Sequence, residues 1–131
     1  MSNRCFIVSG DGRVTETQPG LAPLPEINGQ LNESVSSGLL YQHGSGCAIR
    51  TSELGPNGYL AAHRSPGTVC IQVLEGSGMT GLVSNGGETS CEVSLTAGDL
   101  IVFEEPMPLH FYRAGENGLR YIAVNFPPER K

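Results

Sequence analysis

Lysine occurs only once, as Lys131. That argues against Schiff-base chemistry through a central lysine. Aspartate occurs only at positions 11 and 99, so a paired-aspartate centre is not expected. Tryptophan is missing, and no G-x-S-x-G, P-loop or helix-opening G-x-G-x-x-G motif is present. The four cysteines, Cys5, Cys47, Cys70 and Cys91, form no C-x-x-C pair, which removes zinc knuckles and thioredoxin-like motifs. No basic run interrupts a net charge of −5, so nucleic acid and anionic membrane are poor partners. No apolar run approaches the ~20 residues of a bilayer-spanning helix. The apolar run within MSNRCFIVSGDGR is too short for a secretory signal. A cytoplasmic location with reduced thiols is therefore expected, with Cys47, Cys70 and Cys91 packed as small apolar residues in strand-like runs. Helix is scarce on the same kind of ground. The longest stretch free of both Gly and Pro is ten residues, too short for a typical helix and its turns.

What the sequence does hold is turn residues and strand-formers. Of its 131 residues, 18 are Gly and 9 are Pro. Between them lie short β-forming runs: RCFIV, GLLYQ, CAIRTSEL, GYLAAH, VCIQVLE, MTGLV, CEVSL, DLIVF, LHFYR and LRYIAVNF. The intervening segments, among them HGSG, GPNG, RSPGT, GSG, TAG, EEPMP and AGENG, read as turns. SNGG at 84–87 is a hairpin signal, since Asn-Gly accepts positive φ at both central positions. This rhythm predicts an all-β, single-domain sandwich or barrel of about ten strands. Residues 17–37 differ: proline-rich, they predict an extended arm or loop in which QLNESVSS holds at most one helical turn. Such an arm covers a sheet edge or reaches a second subunit, and a homodimer is expected.

GPNGYLAAHRSPGTVCIQVLEGSG and LTAGDLIVFEEPMPLHFYR resemble the two sequence motifs of the cupins. His63 takes the first histidine position of the H-x-H pair, VLEG at 73–76 closes the first motif, Gly98-Asp99 open the second and His110 ends it. The resemblance spans roughly residues 55–126. It implies a jelly-roll, a double-stranded β-helix, with a pocket between its sheets. Two ligand positions of the family are altered. Ser65 stands at the second histidine position and Val69 at the glutamate position, and neither binds a divalent cation well. The segment from Gly98 to His110 is one residue longer than the family pattern. A one-residue slip turns a strand side chain to the other face unless a bulge absorbs it, so His110 points either into the barrel or out of it.

Strand alternation supplies a pocket set. With His63 inward, Ala61 and Ser65 share its face; with Val69 inward, so are Ile71 and Val73; with His110 inward, so is Tyr112. The candidate pocket is His63, Ser65, Val69, Ile71, Val73, His110 and Tyr112, apolar with a few polar groups, as small-molecule sites are. His63 and Tyr112 are the candidate catalytic pair. Arg64 and Arg113 alternate outward, Glu75 reads as a turn residue and His43 as a solvated loop histidine.

Three functions follow. The leading reading is a binding protein, sensor or metal-independent isomerase or epimerase that takes a small organic ligand and needs no metal. The second is a metal-dependent oxygenase or isomerase holding Fe, Mn, Ni or Zn through His63 and His110, with Glu104 or Glu105 as a substitute carboxylate. The third is a structural module without chemistry.

Overall fold

A computed structural model describes residues 4–17, 20–84 and 86–129, and all its regular structure is β. Among the described residues no helix is long and apolar enough to cross a membrane. A hairpin of β1 (Cys5–Val8) and β2 (Val14–Thr17) comes first, with Phe6, Val8 and Val14 exposed. Two-residue strands β3 (Ala22–Pro23), β4 (Glu26–Ile27) and β5 (Gln30–Leu31) follow. The body of the fold is β6 (Glu33–Gln42), β7 (Ala48–His63), β8 (Thr68–Val83), β9 (Thr89–Thr96), β10 (Leu100–Phe103) and β11 (Leu109–Phe126). The main sheet runs β10-β8-β11-β7-β6-β3, all antiparallel, with β9 paired to β8 beyond β10.

The all-β fold matches the sequence expectation, but the strands are longer than the short runs suggest. Three glycine-rich segments lie inside continuous ladders. Glu33 pairs Tyr59 and Val35 pairs Leu54, so residues 55–58 (GPNG) stand opposite the single residue Ser34. Ala114 pairs Gly78 and Leu119 pairs Gly76, so residues 115–118 (GENG) stand opposite Ser77. The third segment, 76–78 (GSG), is the β8 side of that same break. At the same level, residues 97–99 divide β9 from β10. There Asp99 Oδ2 accepts from the Thr96 N–H at 2.8 Å. Extra residues on one strand bend and twist a ladder, and here the breaks coincide across neighbouring strands. Long strands therefore turn a corner together. The contact that proves it is within β11: Tyr112 and Tyr121 lie on either side of the corner, yet their rings stack 5.2 Å apart. The two limbs of each long strand face each other as the two layers of a sandwich.

Between the layers lies one core, including Val35, Leu54, Val73, Leu95, Phe103 and Leu119. Two local expectations are corrected. QLNESVSS holds no helical turn, because Glu33 and residues 35–37 pair with β7 and Ser36 and Ser37 also pair with β3. The cysteines are not core residues. Cys91 is exposed on β9, whose only buried residue is Leu95, and Cys70 alternates outward between buried Val69 and Ile71. All four thiols are free. The hairpin of β8 and β9 closes through Ser84 N–H to Glu88 O at 2.8 Å; Asn85 lies outside the described residues, as does Lys131.

The corner is held by backbone against backbone. Gly76 has φ +82°, and a Cβ there would collide with the Gly118 carbonyl oxygen. Gly76→Ala combines left-handed strain with a clash that no side-chain rotation relieves, and is expected to cost about 2 kcal/mol or more. Gly87, in the β8–β9 turn, has φ +83° but open space around it. Gly87→Ala is expected to cost only about 1 kcal/mol. Urea midpoints of the two variants measure the difference; equal losses would remove the corner contact as a determinant of the fold.

Candidate functional site

Strand pairing brings the two candidate histidines together. His110 pairs with His63, and the next pair inward is Tyr112 with Leu60. Ala61 and Ala62 thus stand opposite the single residue Phe111, a bulge on β7. It resets the alternation: Leu60 and His63 both line the cavity, whereas Ala61, expected on the His63 face, is buried in the bulge instead. His110, whose direction the sequence leaves open, turns inward. It is 2 % exposed, stacks on Phe103 at 4.1 Å and lies 4.8 Å from His63, ring centre to ring centre.

The cavity between the layers measures about 410 Å3. One wall carries Leu60, His63, His110 and Tyr112. The facing wall carries Arg50, Ser52, Val69, Ile71, Tyr121, Ala123 and Asn125. Ser65 and Met107 close one side, with the Ser65 hydroxyl 3.9 Å from the Met107 sulfur. Ala22, Pro23, Leu24 and Ile27, all from the 17–37 segment, cover the mouth. Six of the seven candidate pocket residues therefore share one cavity. Val73 does not: paired with Tyr121, it lies in the packed core at the level where the two tyrosines stack.

Other candidates lie elsewhere. Glu104 and Glu105 are exposed outside the cavity, and Glu105 Oε1 accepts from the Glu129 N–H at 3.0 Å. They do not supply a carboxylate to the histidines. Arg64 is exposed, and Arg113 lies over the outer face of Tyr59 at 4.8 Å. Glu75 pairs with Arg120 at 2.8 Å, and His43 holds a turn through Ser45. Arg50, Ser52, Tyr121 and Asn125 were not among the candidates. Alternation along CAIRTSEL and LRYIAVNF puts them on common faces, but no motif marks which face is inward.

The histidines share a hydrogen-bonding pattern. His63 Nδ1 is 2.8 Å from Ala61 O, and His110 Nδ1 is 3.0 Å from Pro108 O. A carbonyl only accepts, so Nδ1 carries the proton on each ring and the Nε2 lone pair is left for other partners. Burial holds both below the usual imidazole range, against the pull of those carbonyls. His110, with His63 beside it, falls to about 4. Tyr112 is buried, and its hydroxyl has no hydrogen-bond partner among the described residues. Burial pushes its ionisation well above the usual phenol range, so it stays a neutral donor. Tyr121 is likewise pushed up to about 12 by burial, eased by a hydrogen bond to Ser52.

The cavity lining includes two imidazoles, no carboxylate and no thiolate. Among the described residues no three His, Cys, Asp or Glu side chains gather to hold a metal ion. Zinc and non-haem iron centres are built on at least three such ligands, and this donor set does not fit one.

Asn32 links the cover to this wall. Its amide nitrogen donates to Leu24 O at 3.0 Å, and its Oδ1 accepts from the Ala61 N–H at 2.8 Å. Ala61 O in turn holds the His63 ring.

The depressed histidines predict a stability profile. Between about pH 4 and pH 6.5 the unfolded chain binds protons that folded His110 refuses, so stability is full above pH 6.5 and falls as pH drops through that window. Urea titrations are expected to show a loss on the order of 1–3 kcal/mol from pH 7 to 4.5. His110→Gln should flatten much of that slope. A slope unchanged in the variant would remove His110 as its source.

Residues 23–129 match the family profile described as Cupin. The structure is similar to that of a cupin 2 conserved barrel domain protein from Rhodopseudomonas palustris, with TM-score 0.65 and 22% identity over 96% of this chain and 83% of that one. It is also similar to a cupin-2 domain from Rhodospirillum rubrum, with TM-score 0.65 and 20% identity over 87% and 75% of the two chains. The polyketide cyclase RemF from Streptomyces resistomycificus is comparable, with TM-score 0.65 and 22% identity over 86% and 75%. No curated protein matches the sequence. With most of the chain inside the family profile and a jelly-roll whose two motifs meet at His63 and His110, this protein belongs to the cupin family.

Proposed function

We propose that this cupin binds a small organic molecule in the His63–His110–Tyr112 cavity without a metal ion. The observation that carries the reading is the make-up of the cavity. Two neutral imidazoles and a buried, unpartnered phenol stand in a mostly apolar space with no carboxylate beside them. The volume falls in the range of small-molecule sites, roughly 300–1,000 Å3. It also supports a binding site over a purely structural module, whose interior would be filled. The polyketide cyclase among the similar structures is a cupin-fold protein named for work on an organic molecule, which agrees with this use of the fold.

The chemistry available here is proton transfer. A neutral imidazole with an open Nε2 is a base, and a phenol held neutral by burial donates a hydrogen bond to an oxygen on which charge develops. His63 and Tyr112, ring centres 6.2 Å apart, can act on one ligand from neighbouring points of the wall. Isomerisation or epimerisation needs that pair and no redox partner.

The test is metal content followed by ligand response. Protein purified untagged and without chelator, then soaked with iron, manganese, nickel and zinc in turn, is expected to retain far less than one ion per chain. A broad library of small organic molecules is expected to yield binders that raise the melting temperature with concentration. Their effect should weaken in Tyr112→Phe. Near-stoichiometric metal that leaves on His63→Ala would overturn the proposal.

A further inference from the structure

The cavity has an electrostatic sign and a surface chemistry that narrow its ligand. Arg50 is the one side chain in its lining with a fixed charge, and no Asp or Glu lines it. Among the described residues Arg50 makes no ion pair. Arg4, Arg64 and Arg113 likewise make no ion pair among the described residues, but of the four only Arg50 lines this cavity. Its planar fork matches a carboxylate bidentately, and carboxylate binding there displaces no existing partner.

The opposite wall asks for something different. His63 and His110 present Nε2 lone pairs as acceptors, while Tyr112 holds a hydroxyl without a partner. A ligand group that donates to a histidine and accepts from Tyr112 satisfies both; a hydroxyl does so, and an ether or a halide does not. The phenol is already buried and unpaired, so a ligand that places a polar atom there gains a hydrogen bond that an apolar ligand does not.

The rings define the space between. Tyr112 and Tyr121 stack at 5.2 Å, His110 meets Tyr112 edge-on at 5.3 Å, and His63 lies 4.8 Å from His110. All four rings line the cavity. Aromatic surfaces favour offset-stacked and edge-to-face partners, which a flat conjugated ring supplies and a puckered aliphatic ring does not.

We propose that the ligand is a hydroxylated aromatic acid. Its carboxylate lies at Arg50 and its ring hydroxyl reaches between Tyr112 and the histidine pair. This assignment rests on the metal-free reading above and deepens it by naming the ligand class.

The experiment measures binding of 4-hydroxybenzoate and 6-hydroxy-2-naphthoate by ligand-observed NMR and calorimetry, with benzoate, phenol and cyclohexanecarboxylate as controls. The two hydroxy acids are expected to bind at least about tenfold more tightly than any control, the worth of one charge-assisted hydrogen bond. Arg50→Gln, a change at an exposed residue, should weaken the hydroxy acids about tenfold and leave phenol unaffected. Tyr112→Phe keeps the ring stack and should bring 4-hydroxybenzoate down to the level of benzoate. Cyclohexanecarboxylate or phenol binding as well as the hydroxy acids would overturn the proposal. So would affinities unchanged in Arg50→Gln, or binding by none of the five. The two readings fail separately. A metal-free protein that ignores aromatic acids but binds another organic molecule loses the ligand class and keeps the metal-free site. A protein that retains stoichiometric metal, and binds 4-hydroxybenzoate only while it does, loses both.

Discussion

Everything in this molecule depends on the close approach of backbone to backbone where its long strands turn from one layer to the other. At that level Gly76 faces the Gly118 carbonyl with no room for a Cβ, and Gly78 likewise leaves none beside Arg113 O. Strands of 16 and 18 residues would otherwise run on as a flat ribbon with one face unpaired. Bending them together closes that face on itself, and so creates both the core and the cavity. The site is a by-product of the same geometry. The limbs on one side of the corner bring His63, His110 and Tyr112; those on the other bring Arg50, Ser52 and Tyr121.

Burial then determines what those groups can be. A charged imidazole loses more hydration in this cavity than the two carbonyls at Nδ1 return, so both histidines stay neutral. A cavity that keeps its bases unprotonated and its phenols un-ionised also keeps its internal field small. Arg50, on an exposed part of the opposite wall, remains as the dominant charge. That contrast, one solvated cation facing neutral hydrogen-bonding groups, gives the cavity direction: a ligand with unlike ends has one favoured way to lie.

Much of the fold was legible in the residues, because strand propensity and Gly/Pro punctuation are local. The reading faltered where a glycine-rich segment has two possible meanings. GPNG, GSG and AGENG look like chain reversals, and they are corners instead; only the partner strand decides, and pairing is not visible in one chain. The inward-facing residues followed from alternation as far as alternation holds. The bulge at Ala61 and Ala62 breaks it, which put Ala61 in the expected face and left Leu60 out. Arg50, Ser52 and Tyr121 escaped notice for another reason: they obey the period of two, but no motif says which phase of that period is inside. Val73 kept its phase and missed the cavity by depth, which depends on how far two tyrosine rings reach across the sandwich.

Asn32 adds a side-chain link between parts that strand pairing already joins. Through its two amide ends, the segment covering the cavity mouth is tied to the bulge, and the bulge carbonyl is tied to the His63 ring. The cover is also held by the sheet itself, since Ala22 and Pro23 pair with Ser37 and Ser36 and the Leu24 N–H donates to Val35 O at 2.9 Å. Three hydrogen bonds thus run in series from the cover to the His63 ring, so a single side chain of the covering segment holds the residue whose carbonyl orients that imidazole.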